Sequence, residues 1–132
     1  MAAVDGGWPN FRQYLGFVFV YAGTYSLKKE LLPVSPNDPI RAGDVFIQGG
    51  FPGHTVIVVD VAENDRKERI FLLAQSYMPA QDMHVLAGKN AKDPWYRFPV
   101  GDVLETPEWT FAPARRMRFD DVGGCVTPKS RR

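Results

Sequence analysis

The stretch Gly43-Asp-Val-Phe-Ile-Gln-Gly-Gly-Phe-Pro-Gly-His-Thr-Val-Ile-Val-Val-Asp60 carries the strongest fold signal in the chain. Residues 45–47 are short and apolar, and the residues from Thr55 onward are β-branched, a composition that favours strands. Between them, Gln48-Gly-Gly-Phe-Pro-Gly53 has the composition of a turn. The stretch therefore predicts two strands joined by a turn, with His54 at the start of the longer strand.

A third strand follows on the C-terminal side. The polar residues 64–68 predict a hairpin, after which Ile70-Phe-Leu-Leu-Ala74 returns as an apolar run. Both longer strands are nearly continuous in apolar character, which predicts burial on both faces. Beyond Gln75 the pattern weakens, and it predicts only short extended pieces, at residues 83–86, 107–111 and 117–119.

On the N-terminal side, the pattern predicts helices. Asn10 can cap a helix over residues 11–22, which Gly23 would end. The apolar residues surround this segment, so we expect the helix to be buried centrally, and a strand is the alternative. A second, short helix is predicted from Ser26 to Leu32, because prolines follow it.

These elements predict an α+β fold. The predicted sheet is small and antiparallel, contains about residues 44–48, 54–62 and 69–75 with short later strands, and packs against the apolar N-terminal helix. A chain of 132 residues has room for one hydrophobic core. We therefore expect a single domain over residues 1–119 and a flexible tail over 120–132.

Composition excludes several classes of function. The chain has 16 basic and 15 acidic residues, a balance that argues against nucleic acid as a partner. It has no apolar run of the roughly 18 residues that a membrane span requires, and its N-terminus does not resemble a secretory signal. A single cysteine, Cys125, permits neither an intramolecular disulfide nor a cysteine-based zinc site. The cellular compartment stays open.

His54 is the leading candidate for chemistry. At the first position of a strand, its imidazole is held by a rigid sheet and faces the mouth of a turn, as a general base requires. Gln75 ends the third strand, and its amide can orient that imidazole if the two strands pair. A histidine, an orienting residue and a nucleophile together perform acyl transfer. The alternatives are a structural histidine bonded to the turn and an ordinary strand-end amide.

Two other classes of site are also open. Tyr77, Trp95 and Trp109 lie in loops and can line a groove for a glycan or a peptide, although such rings also commonly pack in a core. Asp82 and His84 are two residues apart and would share one face of a strand. Together with His54 they would form a two-histidine, one-carboxylate metal site, which suggests a metal-dependent hydrolase.

Residues 43–76 resemble the core of the papain-like NlpC/P60 and CHAP amidases and peptidases of cell-wall turnover. The resemblance rests on Gly43-Asp before a strand, Gly53-His54 before the next, and a polar residue, Gln75, on the third. It implies a papain-like core, catalytic roles for His54 and Gln75, and a peptide or cell-wall glycopeptide as substrate, without a cofactor. The catalytic cysteine of those enzymes precedes the histidine, whereas Cys125 follows it. The resemblance thus implies a hydrolase-like domain that is inactive in this form.

A longer resemblance covers about residues 11–119. This region is similar to the C-terminal part of an uncharacterised bacterial family, the domain of unknown function 4846, whose members extend further at the N-terminus. We therefore expect a truncated member whose first helix exposes apolar surface and allows self-association. The segments that carry the resemblance are Tyr21-Ala-Gly-Thr24, Gly43–Gly50, Pro52-Gly-His54, Ala74–His84, Pro94-Trp-Tyr96 and Thr106–Phe111.

Overall fold

The computed structural model describes residues 7–77, 82–88, 92–112 and 114–120. Within these ranges the chain forms two helices followed by nine strands. The helices are α1 (Trp8–Tyr21) and α2 (Thr24–Glu30). The strands are β1 (Leu32–Pro33), β2 (Val45–Gln48), β3 (His54–Glu63), β4 (Arg69–Gln75), β5 (His84–Val85), β6 (Tyr96–Phe98), β7 (Leu104–Glu105), β8 (Thr110–Phe111) and β9 (Arg116–Arg118).

Seven of these strands form one antiparallel sheet. Strands β1, β9, β2, β3, β4 and β5 lie side by side in that order, and β6 also pairs with β4. Strands β7 and β8 form a separate hairpin. The predicted α+β class and the three predicted strands are confirmed, with β3 reaching Glu63 and the pairing of β3 with β4 shifting register between Val58 and Asp60.

Each face of the sheet carries its own hydrophobic cluster. We call the larger one the main core; Val56, Val58, Phe71 and Leu73 of the sheet pack in it against Leu104 and Phe111 of the β7–β8 hairpin. The second cluster lies under α2 and contains Leu27, Leu31, Val45, Ile47, Ile57 and Met117. Successive residues of a strand point to opposite faces, which explains why Val56 and Ile57 belong to different clusters.

The prediction that the N-terminal helix is buried against the sheet is wrong. No residue of α1 is buried, and Phe19 is 79% exposed. The sheet face next to the helices is covered instead by α2, through Leu27 and Leu31. The apolar residues of α1 are distributed on every side of the helix. The helix is therefore hydrophobic on average but has no single apolar face that could pack on the sheet. Self-association through this surface stays a prediction.

The helix boundaries also differ from the predicted ones. Helix α1 begins at Trp8, because Pro9 fits the first turn of a helix, and this leaves Asn10 inside the helix rather than at its cap. Helix α2 begins two residues before Ser26, whose hydroxyl accepts a hydrogen bond from the Gly23 backbone N–H at 3.1 Å. That contact satisfies the N-cap backbone N–H from the third helical position, so Ser26 lies within the first turn.

One further expectation is revised. The C-terminal half of β3, from Val59 to Glu63, has no buried residue, so the predicted burial on both faces holds only near its start. No helix within the described ranges is long and apolar enough to cross a membrane. Residues 121–132, the larger part of the predicted tail, lie outside the described residues, as does Cys125.

Asp44, immediately before β2, is completely buried and has several polar partners. Its carboxylate accepts two hydrogen bonds from the Arg118 guanidinium, at 2.6 and 3.0 Å, and one from the Arg41 backbone N–H at 3.0 Å. Arg116 Nη1 lies 3.4 Å from Asp44 Oδ2. Because both arginines belong to β9, this carboxylate fixes β9 beside β2, although 71 residues separate Val45 from Arg116 in sequence.

We expect Asp44→Asn to destabilise the protein strongly. The substitution leaves two partly or fully buried guanidinium groups without their counter-charge, a change that typically costs about 3–5 kcal/mol. Asp60→Asn is the matched control, because Asp60 is exposed and accepts one local hydrogen bond from the Val61 backbone N–H. Urea unfolding followed by circular dichroism measures both. Equal stability losses in the two variants would contradict the role assigned to Asp44.

Candidate functional site

His54 occupies the first position of β3, where the chain leaves the turn that follows β2. His54 is only 8% exposed, and it pairs with Gln48 of β2 in the antiparallel register. The alternation that places Val56 and Val58 in the main core places the His54 ring on the same face. The ring therefore lies at the end of the main core, on the face of the sheet opposite α2.

The turn before His54 is held tightly against the start of α2. A Cβ atom added at Gly53 would collide with Thr24 Oγ1 and would lie 2.6 Å from the Gly50 carbonyl oxygen and 2.8 Å from that of Gln48. Such distances are shorter than real Cβ contacts allow, so only glycine fits at this position. The backbone that leads into His54 is thus fixed by packing on both sides.

Among the described residues, the His54 ring has one hydrogen-bonded partner, Gln75. Its Nε2 atom lies 2.6 Å from Gln75 Oε1. Gln75, 1% exposed, donates through its Nε2 to Glu108 Oε2 at 2.8 Å. Strand pairing explains the contact, because Ile57 lies opposite Ala74 and this places His54 diagonally across from Gln75.

Glu108 determines which ring nitrogen of His54 carries the proton. An ionised carboxylate only accepts hydrogen bonds, so the Gln75 amide must turn its NH₂ group toward Glu108 and its oxygen toward His54. An amide oxygen is an acceptor, and His54 must therefore donate through Nε2–H. In the neutral ring, Nδ1 is then the basic nitrogen. The described part of the chain provides no hydrogen-bond donor to Nδ1.

Aromatic rings surround the imidazole. The ring centres of Tyr77, Trp109 and Phe111 lie 5.1, 5.3 and 6.0 Å from that of His54. Trp109 is also held by its indole N–H, which donates to Gln48 Oε1 at 3.3 Å. These contacts restrict the orientation of the imidazole.

The β7–β8 hairpin delivers both Glu108 and Trp109. Thr106 closes its turn, since its backbone N–H and its hydroxyl both donate to the Trp109 carbonyl oxygen, at 2.8 and 2.7 Å.

The charge of Glu108 also acts on Tyr96 in the main core. Burial, and to a smaller extent this negative charge, raise the pKa of Tyr96 to about 12. The Tyr96 hydroxyl accordingly donates a hydrogen bond, at 2.7 Å, to the Ala87 carbonyl oxygen.

The structure brings four of the five predicted site residues together. His54, Gln75, Tyr77 and Trp109 form one cluster, whereas Trp95 lies elsewhere. Trp95 precedes β6, which pairs with residues 69–71 at the opposite end of β4 from Gln75. Glu108 was not identified from the sequence. A carboxylate in a turn 33 residues beyond Gln75 gives no local signal of this contact.

Residues 2–118 match the family described as a domain of unknown function (4846). The chain belongs to this family. The longer of the two sequence resemblances is therefore confirmed, and the match covers every described residue of the candidate site. No curated protein and no solved structure matches this family member, so the shorter resemblance to NlpC/P60 and CHAP enzymes has no support from these comparisons.

The predicted metal site does not assemble in the described part of this family member. His84 lies opposite Gln75 in the sheet, and its Nδ1 donates to the Asp82 carbonyl oxygen at 2.8 Å. Within residues 7–77, 82–88, 92–112 and 114–120, no three His, Cys, Asp or Glu side chains lie close enough to hold a metal ion. His54 and His84 thus serve different contacts, although both flank Gln75.

We expect Gly53→Ala to destabilise the protein by about 1–3 kcal/mol, the usual cost of forcing extra atoms into a packed position. Gly16→Ala is the control, because a Cβ at Gly16 meets no atom within 4 Å and alanine favours a helix. Chemical denaturation measures both stabilities, and the NMR signals of the His54 ring report its displacement. Unchanged stability and ring signals in Gly53→Ala would show that the turn is not constrained.

Proposed function

We propose that this chain carries the base and the positioning residue of an acyl-transfer site for amide or peptide bonds. In this proposal His54 is the general base and Gln75 positions it. The chain has no cysteine ahead of His54, so it does not itself hydrolyse such bonds. The substrate class suggested by the resemblance to cell-wall amidases is a peptide or a cell-wall glycopeptide.

The observation that carries this proposal is the 2.6 Å contact between His54 Nε2 and Gln75 Oε1. A histidine whose Nε2–H is bound by an amide oxygen presents Nδ1 to a reacting group. The same pairing of histidine with an amide orients the base in thiol-dependent acyl transfer. There the base removes a proton from the attacking nucleophile and later donates it to the leaving amine.

The surroundings of His54 fit this role better than a purely structural one. Only Nε2 has a partner among the described residues, which leaves Nδ1 without a protein hydrogen bond in that part of the chain. The second link, from buried Gln75 to the carboxylate of the exposed residue Glu108, favours the amide orientation in which the oxygen faces His54. The missing part of such a site is the nucleophile.

The activated ester p-nitrophenyl acetate tests the basic nitrogen of His54, because an imidazole either attacks its acyl carbon directly or activates a water molecule to do so, and p-nitrophenolate leaves in both cases. We expect His54→Ala to lower the rate by at least about tenfold, less than the 10²–10⁴-fold of a complete site. His84→Ala is the matched control, since the chain has two histidines and His84 does not contact the Gln75 side chain within the described hydrogen bonds. Absorbance at the p-nitrophenolate band measures the rate.

A second readout separates positioning by Gln75 from simple structural support. In ¹⁵N-labelled protein, we expect the neutral His54 ring to carry its proton on Nε2, and Gln75→Leu to shift the ring toward a mixture of tautomers. Equal ester cleavage by wild-type protein and His54→Ala would refute the base. Cleavage of a peptide amide that disappears in His54→Ala would refute the absence of a nucleophile.

The aromatic rings around His54 support a second candidate function, the binding of a glycan or peptide without chemistry. Tyr77 and Trp109 are each partly exposed beside the ring and combine flat apolar area with a polar edge. This candidate requires Trp109 but not Trp95, which the structure places away from the cluster.

We expect Trp109→Ala to weaken binding of N-acetylglucosamine oligomers or alanine peptides by about tenfold or more, as loss of an aromatic anchor commonly does. Trp95→Ala provides the control, with thermal unfolding confirming that each variant is folded. Isothermal titration calorimetry measures the affinities. Equal losses in the two tryptophan variants, or no binding by the wild-type protein, would exclude this candidate.

A further inference from the structure

A cavity of about 360 Å³ lies beside β9, away from His54. Its size falls within the roughly 300–1,000 Å³ typical of small-molecule pockets. No residue of the His54 cluster lines it. Most of the lining is apolar, and its larger side chains are Pro33, Val34, Phe46, Phe98, Val100 and Met117.

The charged residues at this cavity are mostly cations. Lys28, Arg115 and Arg116 line it, together with one carboxylate, Asp102. Lys28 and Arg115 are exposed, so they lie toward the solvent, whereas the Arg116 side chain is only 6% exposed. The cavity therefore combines an apolar interior with an excess of positive charge.

The guanidinium group of Arg116 is the buried positive charge at this cavity. Its Nη2 donates to the carbonyl oxygens of Ser35, at 2.9 Å, and Asp38. Its guanidinium carbon lies 5.2 Å from the centre of the Phe98 ring, which also lines the cavity. Its Nη1 is buried and makes no hydrogen bond with the described residues.

Asp44 does not fully neutralise the positive charge of Arg116. It lies 3.4 Å from Arg116 Nη1, but both of its oxygens already accept hydrogen bonds from Arg118. One buried carboxylate thus serves two guanidinium groups. Burying a cation that shares its counter-charge with a second cation is costly, and an anion bound beside it would reduce that cost.

We propose that this cavity binds a small aliphatic monocarboxylate, with its hydrocarbon chain among the apolar lining residues and its carboxylate toward Arg116 and Lys28. A carboxylate suits the site because it accepts charge-assisted hydrogen bonds from a guanidinium group. An unbranched hydrocarbon chain suits the apolar side chains that make up most of the lining. This site is separate from the one proposed at His54, and either can fail without the other.

Calorimetric titration of the full chain with octanoate tests this site. Octan-1-ol, of the same length but neutral, and octylammonium, of opposite charge, are the comparison ligands. We expect octanoate to bind and each comparison ligand to bind at least about tenfold more weakly, because charge-assisted hydrogen bonds are lost. Competition between octanoate and octan-1-ol then shows whether they share the cavity.

Lys28→Glu tests the location without disturbing buried residues, because Lys28 is exposed. We expect it to weaken octanoate binding at least about threefold, because it removes one partly screened positive charge and adds a negative one. Lys29→Glu is the matched control, since Lys29 is the next residue of α2, does not line the cavity and lies over the Tyr25 ring. A thermal melt of each variant confirms folding.

Three outcomes would overturn the proposal. The first is that octanoate does not bind at millimolar concentration. The second is that octanoate binds no more tightly than octan-1-ol, which would show an apolar cavity without anion recognition. Equal weakening by Lys28→Glu and Lys29→Glu would show a general charge effect instead of a site at this cavity.

Discussion

The order of the strands depends on one carboxylate that has no access to water. Asp44 attracts two arginines from the last strand, and this allows a segment near the end of the described chain to insert between β1 and β2. Arg116 in turn binds the carbonyl oxygens of the loop at Ser35 and Asp38. The loop, the central strand β9 and the cavity beside it thus share a single electrostatic anchor.

The sequence predicted the parts of this fold that local patterns encode. The strands β2, β3 and β4 could be located because β-branched runs between turns are a local property. The position of β9 could not, since it depends on ion pairs between residues 74 positions apart. The placement of the helices failed for a related reason: α1 has high hydrophobicity without one apolar face, and the shorter α2 supplies two leucines at the correct spacing.

The same distinction applies to the candidate site. His54 and Gln75 were identified because each stands at the end of a recognisable strand, and hairpin pairing brings strand ends together. Glu108 and the placement of Trp95 were not predictable, because they depend on where the β7–β8 hairpin and β6 dock on the sheet. Sequence patterns thus locate residues on individual elements, while contacts between distant elements determine which nitrogen of an imidazole is basic.

The edges of the sheet have a consequence for how molecules of this protein can meet. On one side the last strand is β1, two residues long and containing a proline; on the other, β5 and β6 cover the two ends of β4. Short edges of this kind offer a neighbouring chain few backbone groups in register. The edges formed by the described strands therefore disfavour fibrillar stacking through backbone hydrogen bonds.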